Sequence, residues 1–179
     1  MKNNKGFTLI ELLVIVMITI LMTVVVFSNY GKNNEIFALE RSAQKLYQDI
    51  RRTQEMAMSG FEGSVATTGY GLYFNTSTTS SYIIYEEKNS NMWYESATDN
   101  IKETINLEKE IRICGLNDNT STPSVLSVSF EPPNPLTYVG GFSSGHEAVV
   151  TLCVISDITK KKYIKINNVG RVEIVNTYP

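Results

Sequence analysis

The sequence predicts an α+β protein in which one long N-terminal helix precedes an antiparallel β-sheet. Three observations carry this prediction. An apolar run occupies residues 7–27, a helical hydrophobic stripe follows between residues 36 and 57, and short segments rich in aromatic and β-branched residues recur after residue 63. Because the helical patterns come first and the strand patterns follow, we expect helix and strands to be segregated rather than alternating.

The first element is an apolar helix close to the N-terminus. From residue 12 to residue 27 only two threonines, Thr19 and Thr23, are polar. Crossing the hydrocarbon core of a bilayer takes about 20 mostly apolar helical residues, so residues 7–27 are sufficient. Lys2 and Lys5 precede the run, which favours a cytoplasmic N-terminus and an exported C-terminal part. The two threonines are expected to bond back to helix carbonyls.

One carboxylate, that of Glu11, lies at the start of this run. A charge at the centre of a membrane helix costs roughly 2.5–3.5 kcal/mol, and less near the ends. A position in the first turn is the least unfavourable one, because the helix dipole is positive there. Since an intramembrane carboxylate marks a functional site by default, Glu11 is predicted to have a binding partner.

The N-terminal residues form the most specific pattern in the chain. A short basic leader ends in glycine, and the order around it is Gly6, Phe7, Thr8, Leu9, Ile10 and Glu11. This order resembles the N-terminus of the type IV pilin-like family of prepilins and pseudopilins. The resemblance is strong over about the first thirty residues. It implies cleavage after Gly6 by a prepilin peptidase, N-methylation of Phe7, and pairing of Glu11 with the N-terminal amine of a neighbouring subunit.

The resemblance also implies a location, partners and a domain organisation. Before assembly, the cleaved chain would be anchored in the lipid of the inner (cytoplasmic) membrane with its C-terminal domain exported. An assembly platform and its ATPase would then move it into a helical filament of other pilins or pseudopilins, in a type IV pilus or a type II secretion system. The implied divisions are a leader at 1–6, a membrane and filament-core half-helix at 7–27, an amphipathic half-helix at 28–60 and a β-rich exported domain at 61–179.

Two other interpretations of the N-terminus stay open. An ordinary secretory signal also has a basic start and an apolar core, although residues 27–31 offer only a poor small-residue cleavage site. An uncleaved anchor would make the chain a membrane-anchored adhesin or enzyme domain. That alternative explains the apolar run but not the order of residues around Gly6.

Residues 36–57 predict the amphipathic half of the helix. Seven residues recur at spacings of three and four and share one face: Ile36, Leu39, Ala43, Leu46, Ile50, Thr53 and Ala57. Ser59 and Gly60 predict its end. The polar residues 28–34, which include Gly31, are weakly helical and are a candidate site of bending or local melting.

The remainder of the chain predicts eight strands and several turns. The strand candidates are residues 70–74, 82–86, 105–107, 110–114, 125–130, 148–155, 162–167 and 171–175. Asn168, Val169 and Gly170 predict a hairpin turn. Residues 131–135, which contain three prolines, predict a loop.

Two segments of this body also resemble one branch of the same family. Residues 51–60 and 165–174 are similar to the minor pseudopilins of the H type and to FimT-like minor pilins. The resemblance implies strands packed on the helix and a subunit that primes or tips a short filament. A bulk subunit of the shaft and a competence-type pilus component remain alternatives.

No pattern in the chain predicts catalysis, a cofactor or a metal, so we expect a structural subunit rather than an enzyme. His146 is the only histidine, and one histidine among scattered acids does not make a metal site. Residues 86–91 carry oxygen ligands of the kind calcium uses, but Lys88 interrupts them and they contain no glycine for a tight loop.

Charge and cysteine content limit the remaining functions. The formal net charge of −2 gives no reason to expect nucleic acid as a partner, and the one basic cluster, residues 160–162 with Lys165 and Arg171, serves equally well as a solvated sheet edge. Cys114 and Cys153 are the only cysteines. In an exported domain they permit a disulfide worth roughly 3–4 kcal/mol, and two separate buried thiols remain the alternative.

Overall fold

The computed structural model describes residues 6–59, 67–132 and 136–178, with no description of the side chains of residues 28–33. It contains one helix, α1 (Leu9–Ser59), and nine strands: β1 (Gly69–Asn75), β2 (Ser81–Glu87), β3 (Asn100–Asn106), β4 (Ile111–Asn117), β5 (Val125–Glu131), β6 (Leu136–Val139), β7 (Glu147–Val154), β8 (Lys161–Asn167) and β9 (Val172–Val175). Three predicted features lie outside the described residues: residues 1–5 of the leader, the helix stop at Gly60 and residues 133–135 of the proline loop.

The chain divides into two compact units, Met1–Glu35 and Ile36–Pro179. The first unit contains the apolar part of α1. The second contains the rest of α1 and all nine strands. Residues 28–34, the candidate site of bending or local melting, are helical in the structure.

The amphipathic part of α1 buries the predicted stripe, with one exception. Six of its seven members are buried: Leu39, Ala43, Leu46, Ile50, Thr53 and Ala57. Ile36 was wrongly included, because it is 48% exposed and the buried face of the helix begins at Ala38. Asp49 and Gln54 are buried beside the stripe. Asp49 accepts a hydrogen bond from Tyr82 of β2, and Gln54 donates one to Gly170 in the turn between β8 and β9.

The predicted α+β fold with antiparallel strands is confirmed, although the strands form two sheets and not one. The five-stranded sheet has the order β3-β2-β1-β5-β6, and the four-stranded sheet has the order β4-β7-β8-β9. One hydrophobic core joins the helix to both of them. Leu46 and Ile50 of α1 share it with Phe74 of the first sheet and with Leu152 and Ile164 of the second.

Most predicted strands are confirmed, and the misses have physical reasons. Strand β3 begins five residues before the predicted segment, because its sequence is polar and only Ile105 is buried. Strand β6 was missed: it has four residues and follows the proline-rich segment directly. The turn at Asn168, Val169 and Gly170 is confirmed between β8 and β9, with Gly170 at φ +77°.

Candidate functional site at the N-terminus

Helix α1 begins with a reciprocal cap formed by Thr8 and Glu11. The backbone amide and the hydroxyl of Thr8 donate to Oε2 of Glu11, at 2.9 and 2.8 Å. The amide of Glu11 points back to the Thr8 hydroxyl at 3.3 Å, and the first helical bond runs from the Leu12 amide to the Thr8 carbonyl at 3.2 Å. This is the capping box, in which two side chains satisfy amides that the helix itself cannot.

The cap holds the Glu11 carboxylate at the helix N-terminus, four residues after the predicted new N-terminus at Phe7. Only Oε2 accepts the bonds from Thr8, and Oε1 has no hydrogen bond to any residue that the structure describes. One oxygen is therefore used within the chain while the other can accept from a separate donor. Phe7 is 82% exposed beside it.

The described residues of the apolar part of the helix are exposed along its whole length. The segment Leu9–Phe27 is long and apolar enough to cross a membrane, and every residue in it is exposed. Its two hydroxyls are satisfied inside the helix, as predicted. Thr19 bonds to the carbonyls of Ile15 and Val16 at 3.0 and 2.8 Å, and Thr23 bonds to the carbonyl of Thr19 at 2.7 Å. Such a surface suits lipid or other helices.

The N-terminal features are a helix long and apolar enough to cross a membrane and a capped carboxylate at its start. Residues 1–27 match the family described as "Prokaryotic N-terminal methylation motif". The match supports a type IV pilin-like prepilin or pseudopilin that is processed by prepilin peptidase, anchored in a membrane and assembled with other pilins. No curated protein and no solved structure matches the chain.

Sequence reasoning missed the role of Thr8. The predicted partners of Glu11 were the helix dipole and an amine on another subunit. The pattern Thr8-x-x-Glu11 before an apolar run is nevertheless a readable capping-box signal. The structure thus adds Thr8 to the predicted site residues Gly6, Phe7 and Glu11.

In the body, the helix end lies against the last hairpin. The side-chain amide of Gln54 donates to the carbonyl of Gly170 at 2.8 Å, and Arg51 reaches the same carbonyl at 3.5 Å. Arg51 also donates to Oε1 of Gln54 at 3.0 Å. The two segments that resemble the H-type and FimT-like proteins, residues 51–60 and 165–174, therefore contact each other directly.

A second polar link ties the helix to the five-stranded sheet. The buried hydroxyl of Tyr82 donates to Oδ2 of Asp49 at 2.5 Å. Burial, and then the neighbouring Asp49 carboxylate, raise the pKa of Tyr82 well above its ordinary value, so it stays a donor. Arg52 pairs with Glu103 and lies 3.8 Å from Asp49. These bonds set the position of the helix against β2 and β3.

The basic residues considered for nucleic acid have acidic neighbours. Lys162 pairs with Glu40 of α1 at 2.6 Å, and this hydrogen bond lowers the pKa of Glu40. Lys165 pairs with Glu147 at 2.7 Å. In the same cluster, Arg171 pairs with Glu173 and Lys160 with Asp157. The cluster is thus largely neutralised by carboxylates of the same domain.

Strands β4 and β7 bring the two cysteines together. Cys114 is the extra residue at a bulge in β4, and Cys153 lies on the paired strand β7. Their Cα atoms are 5.9 Å apart, within the usual range for a disulfide, and the two sulfur atoms are bonded in the structure. Cys153 is fully buried and Cys114 is exposed.

The other candidate positions belong to the second unit. His146 stacks on Phe142 with ring centres 4.5 Å apart. Within the part of the chain that the structure describes, no three His, Cys, Asp or Glu residues are grouped to hold a metal ion.

Residues 86–91, which were weighed as calcium ligands and not predicted to bind it, contain the buried carboxyl of Glu87. Its Oε1 accepts from the Asn89 amide at 3.3 Å, and its Oε2 has no partner among the described residues. Burial, and then the nearby Asp99, raise the pKa of Glu87 to about 7.

Proposed function

We propose that this chain is a structural subunit, a minor pilin or pseudopilin, of a type IV pilus or a type II secretion-like filament. In this proposal a prepilin peptidase cuts after Gly6 and N-methylates Phe7. The anchored chain is then extracted by the inner-membrane platform and its ATPase. Its apolar helix enters the filament core, and its body, which begins at Ile36, forms the outer surface.

The match of residues 1–27 to the methylation motif is the observation that carries this proposal. The geometry agrees with it, because a capped carboxylate lies beside an exposed apolar helix face. Extraction would move this face from lipid into contact with other helices, so little hydrophobic free energy is lost. The free Oε1 of Glu11 would accept from the Phe7 amine of the adjacent subunit and so set the axial register.

The contact between Gln54 and Gly170 supports a finer proposal, that the subunit is of the H or FimT type. It makes the two resembling segments one structural element, at the end of the helix. In this proposal the subunit primes or tips a short filament. Counting subunits per filament by quantitative mass spectrometry tests it, since a few copies per filament agree with this role and a predominant component does not.

The first experiment is to purify the native protein from its cells and measure its N-terminus and intact mass. A chain that begins at N-methylated Phe7 is expected. A chain that begins at Met1 would instead establish the uncleaved anchor, and a start near Asn29 or Tyr30 would establish secretion. Substituting Gly6 with a bulky residue should block processing, whereas Gly6→Ala should allow partial cleavage.

A further inference from the structure

A surface pocket of about 320 Å³ lies beside the disulfide, between strand β4 and the turns β1–β2 and β7–β8. Its lining includes Arg112 of β4, Lys161 of β8, Thr76 and Thr79 of the β1–β2 turn, and Ile158. None of the described residues that line it carries a carboxylate. The volume suits a small molecule rather than a single water, since one water occupies about 30 Å³ of liquid.

Arg112 presents a buried donor without an acceptor. Its Nε atom is inaccessible to solvent and has no hydrogen-bond partner among the described residues. The flanking residues Ile111 and Ile113 are buried in the core, which fixes the strand that carries it. A guanidinium cannot lose its charge, and Arg112 lines the pocket, so it presents a permanent positive charge to a ligand bound there.

Lys161 also has no counter-ion within the described residues, unlike its neighbours. On the same strand, Lys162 pairs with Glu40 at 2.6 Å and Lys165 pairs with Glu147 at 2.7 Å. Lys161 is exposed and lines the pocket. Strands β4 and β8 carry four basic residues. The two that line the pocket, Arg112 and Lys161, have no ion pair among the described residues, whereas Lys162 and Lys165 do.

The sheet register places these two cations on either side of Cys153. Arg112 lies opposite Cys153 in the β4–β7 pair, and Cys153 lies opposite Lys161 in the β7–β8 pair. Directly opposed residues share one sheet face, and strands are spaced about 4.8 Å apart, so the two Cα atoms are separated by about 10 Å. Side chains of this length can reach one group placed between them. Thr79 adds a hydroxyl at the rim.

We propose that this pocket binds a small molecule through an oxyanion, either a carboxylate or a phosphate. The planar guanidinium of Arg112 matches two oxygens of such a group, and Lys161 adds a point charge. Ile158 supplies an apolar wall for the rest of the ligand. The site lies wholly within the body, so the proposal does not depend on how the N-terminus is processed.

The test uses the full chain in detergent micelles, titrated with inorganic phosphate or with acetate at constant ionic strength set by chloride. The readout is the Nε–H signal of Arg112 in a proton–nitrogen correlation spectrum, assigned by its loss in Arg112→Gln. A saturable shift with one or both anions is expected. Phosphate alone would identify a phosphate site, and acetate alone a carboxylate site.

Matched variants separate a site from general charge screening. Lys161→Gln should weaken the Arg112 response at least about tenfold, because one charge-assisted contact is removed. Lys109→Gln removes the same charge from an exposed residue outside the pocket and should leave the response unchanged. A non-saturating shift with both anions, or an equal loss in the Lys109 and Lys161 variants, would overturn the proposal.

Discussion

Gln54, near the end of helix α1, donates its side-chain amide to the carbonyl of Gly170 at 2.8 Å, and the two residues are 116 positions apart in the chain. The bond is buried and ties the helix to the turn between β8 and β9. It also explains why a glycine stands at this turn. A Cβ at Gly170 would lie 3.0 Å from Nε2 of Gln54 and 3.1 Å from Oγ1 of Thr137, and the backbone has φ +77°.

We predict that Gly170→Ala destabilises the body more than Gly145→Ala does. Both glycines have positive φ, but a Cβ at Gly145 would meet nothing within 4 Å. The difference between the two variants therefore separates the close approach to Gln54 and Thr137 from backbone strain. We expect Gly170→Ala to lower the free energy of unfolding by about 1–3 kcal/mol more than Gly145→Ala does. Urea unfolding of the full chain in detergent is the measurement. Equal losses would show that the contact with Gln54 does not matter.

Stability is predicted to fall as pH rises from about 4.5 to 7, because of Glu87. Its pKa is raised to about 7 in the folded protein, so the folded state keeps a proton that the unfolded state releases. The stability that protonated Glu87 contributes is fully present below its pKa in the unfolded state and is lost as pH rises through its pKa in the folded state. Glu87→Gln, which stays neutral, should be more stable than the parent by about 1–3 kcal/mol at pH 8 and close to it at pH 4.5.

Unfolding of both proteins across this pH range provides the measurement. Glu110→Gln, at an exposed position, is the control and should follow the parent profile. A parent whose stability has the same pH dependence as Glu87→Gln would contradict the assignment to Glu87.

Assembly is predicted to require the Thr8–Glu11 cap. Thr8→Ala removes the hydroxyl that donates to the Glu11 carboxylate and accepts from the Glu11 amide. Loss of such a cap destabilises a helix by about 0.5–2 kcal/mol. Thr8→Ser retains the hydroxyl. We expect less filament from Thr8→Ala and near-normal filament from Thr8→Ser. Thr23→Ala is the control, because its hydroxyl bonds only within the helix. Filament yield by quantitative immunoblot of sheared fractions is the measurement.

Glu11→Ala should block filament entry while leaving membrane insertion and the fold of the body intact. The substituted residue lies in the exposed first turn, and among the described residues its side chain hydrogen-bonds only to Thr8. Membrane fractionation and unfolding of the body should thus resemble the parent. Normal filament yield from this variant would rule out the proposed pairing with the neighbouring amine.

Reduction of the Cys114–Cys153 bond should lower the stability of the body by roughly 4 kcal/mol. The bond closes a loop with a sequence separation of 39, and the loop-entropy relation gives this magnitude. Alkylation of the denatured native protein should label no cysteine before reduction and two after it. Labelling before reduction would mean that the protein carries thiols, and urea unfolding of Cys114→Ser/Cys153→Ser would then match the parent.

Much of the fold could be predicted from the sequence, because hydrophobic periodicity and residue composition are local properties. The apolar run, six of the seven stripe residues and most strands followed from hydrophobic spacing alone. Strand β3 was misplaced because it is almost wholly exposed, and its pairing with β2 rather than its own burial defines it. Strand β6 likewise exists through its pairing with β5.

The N-terminal site is the part that the sequence by itself determined. Gly6, Phe7 and Glu11 all lie within residues 6–11, and Thr8 bonds to a residue three positions away, so no tertiary contact is needed to describe them. Tertiary structure alone decided the division into two sheets, the contact between Gln54 and Gly170, and the pocket that joins Arg112 to Lys161. These features depend on which strands pair and on which residues the core buries. Contacts between residues far apart in the chain produce no local hydrophobic periodicity, so the sequence pattern does not predict them.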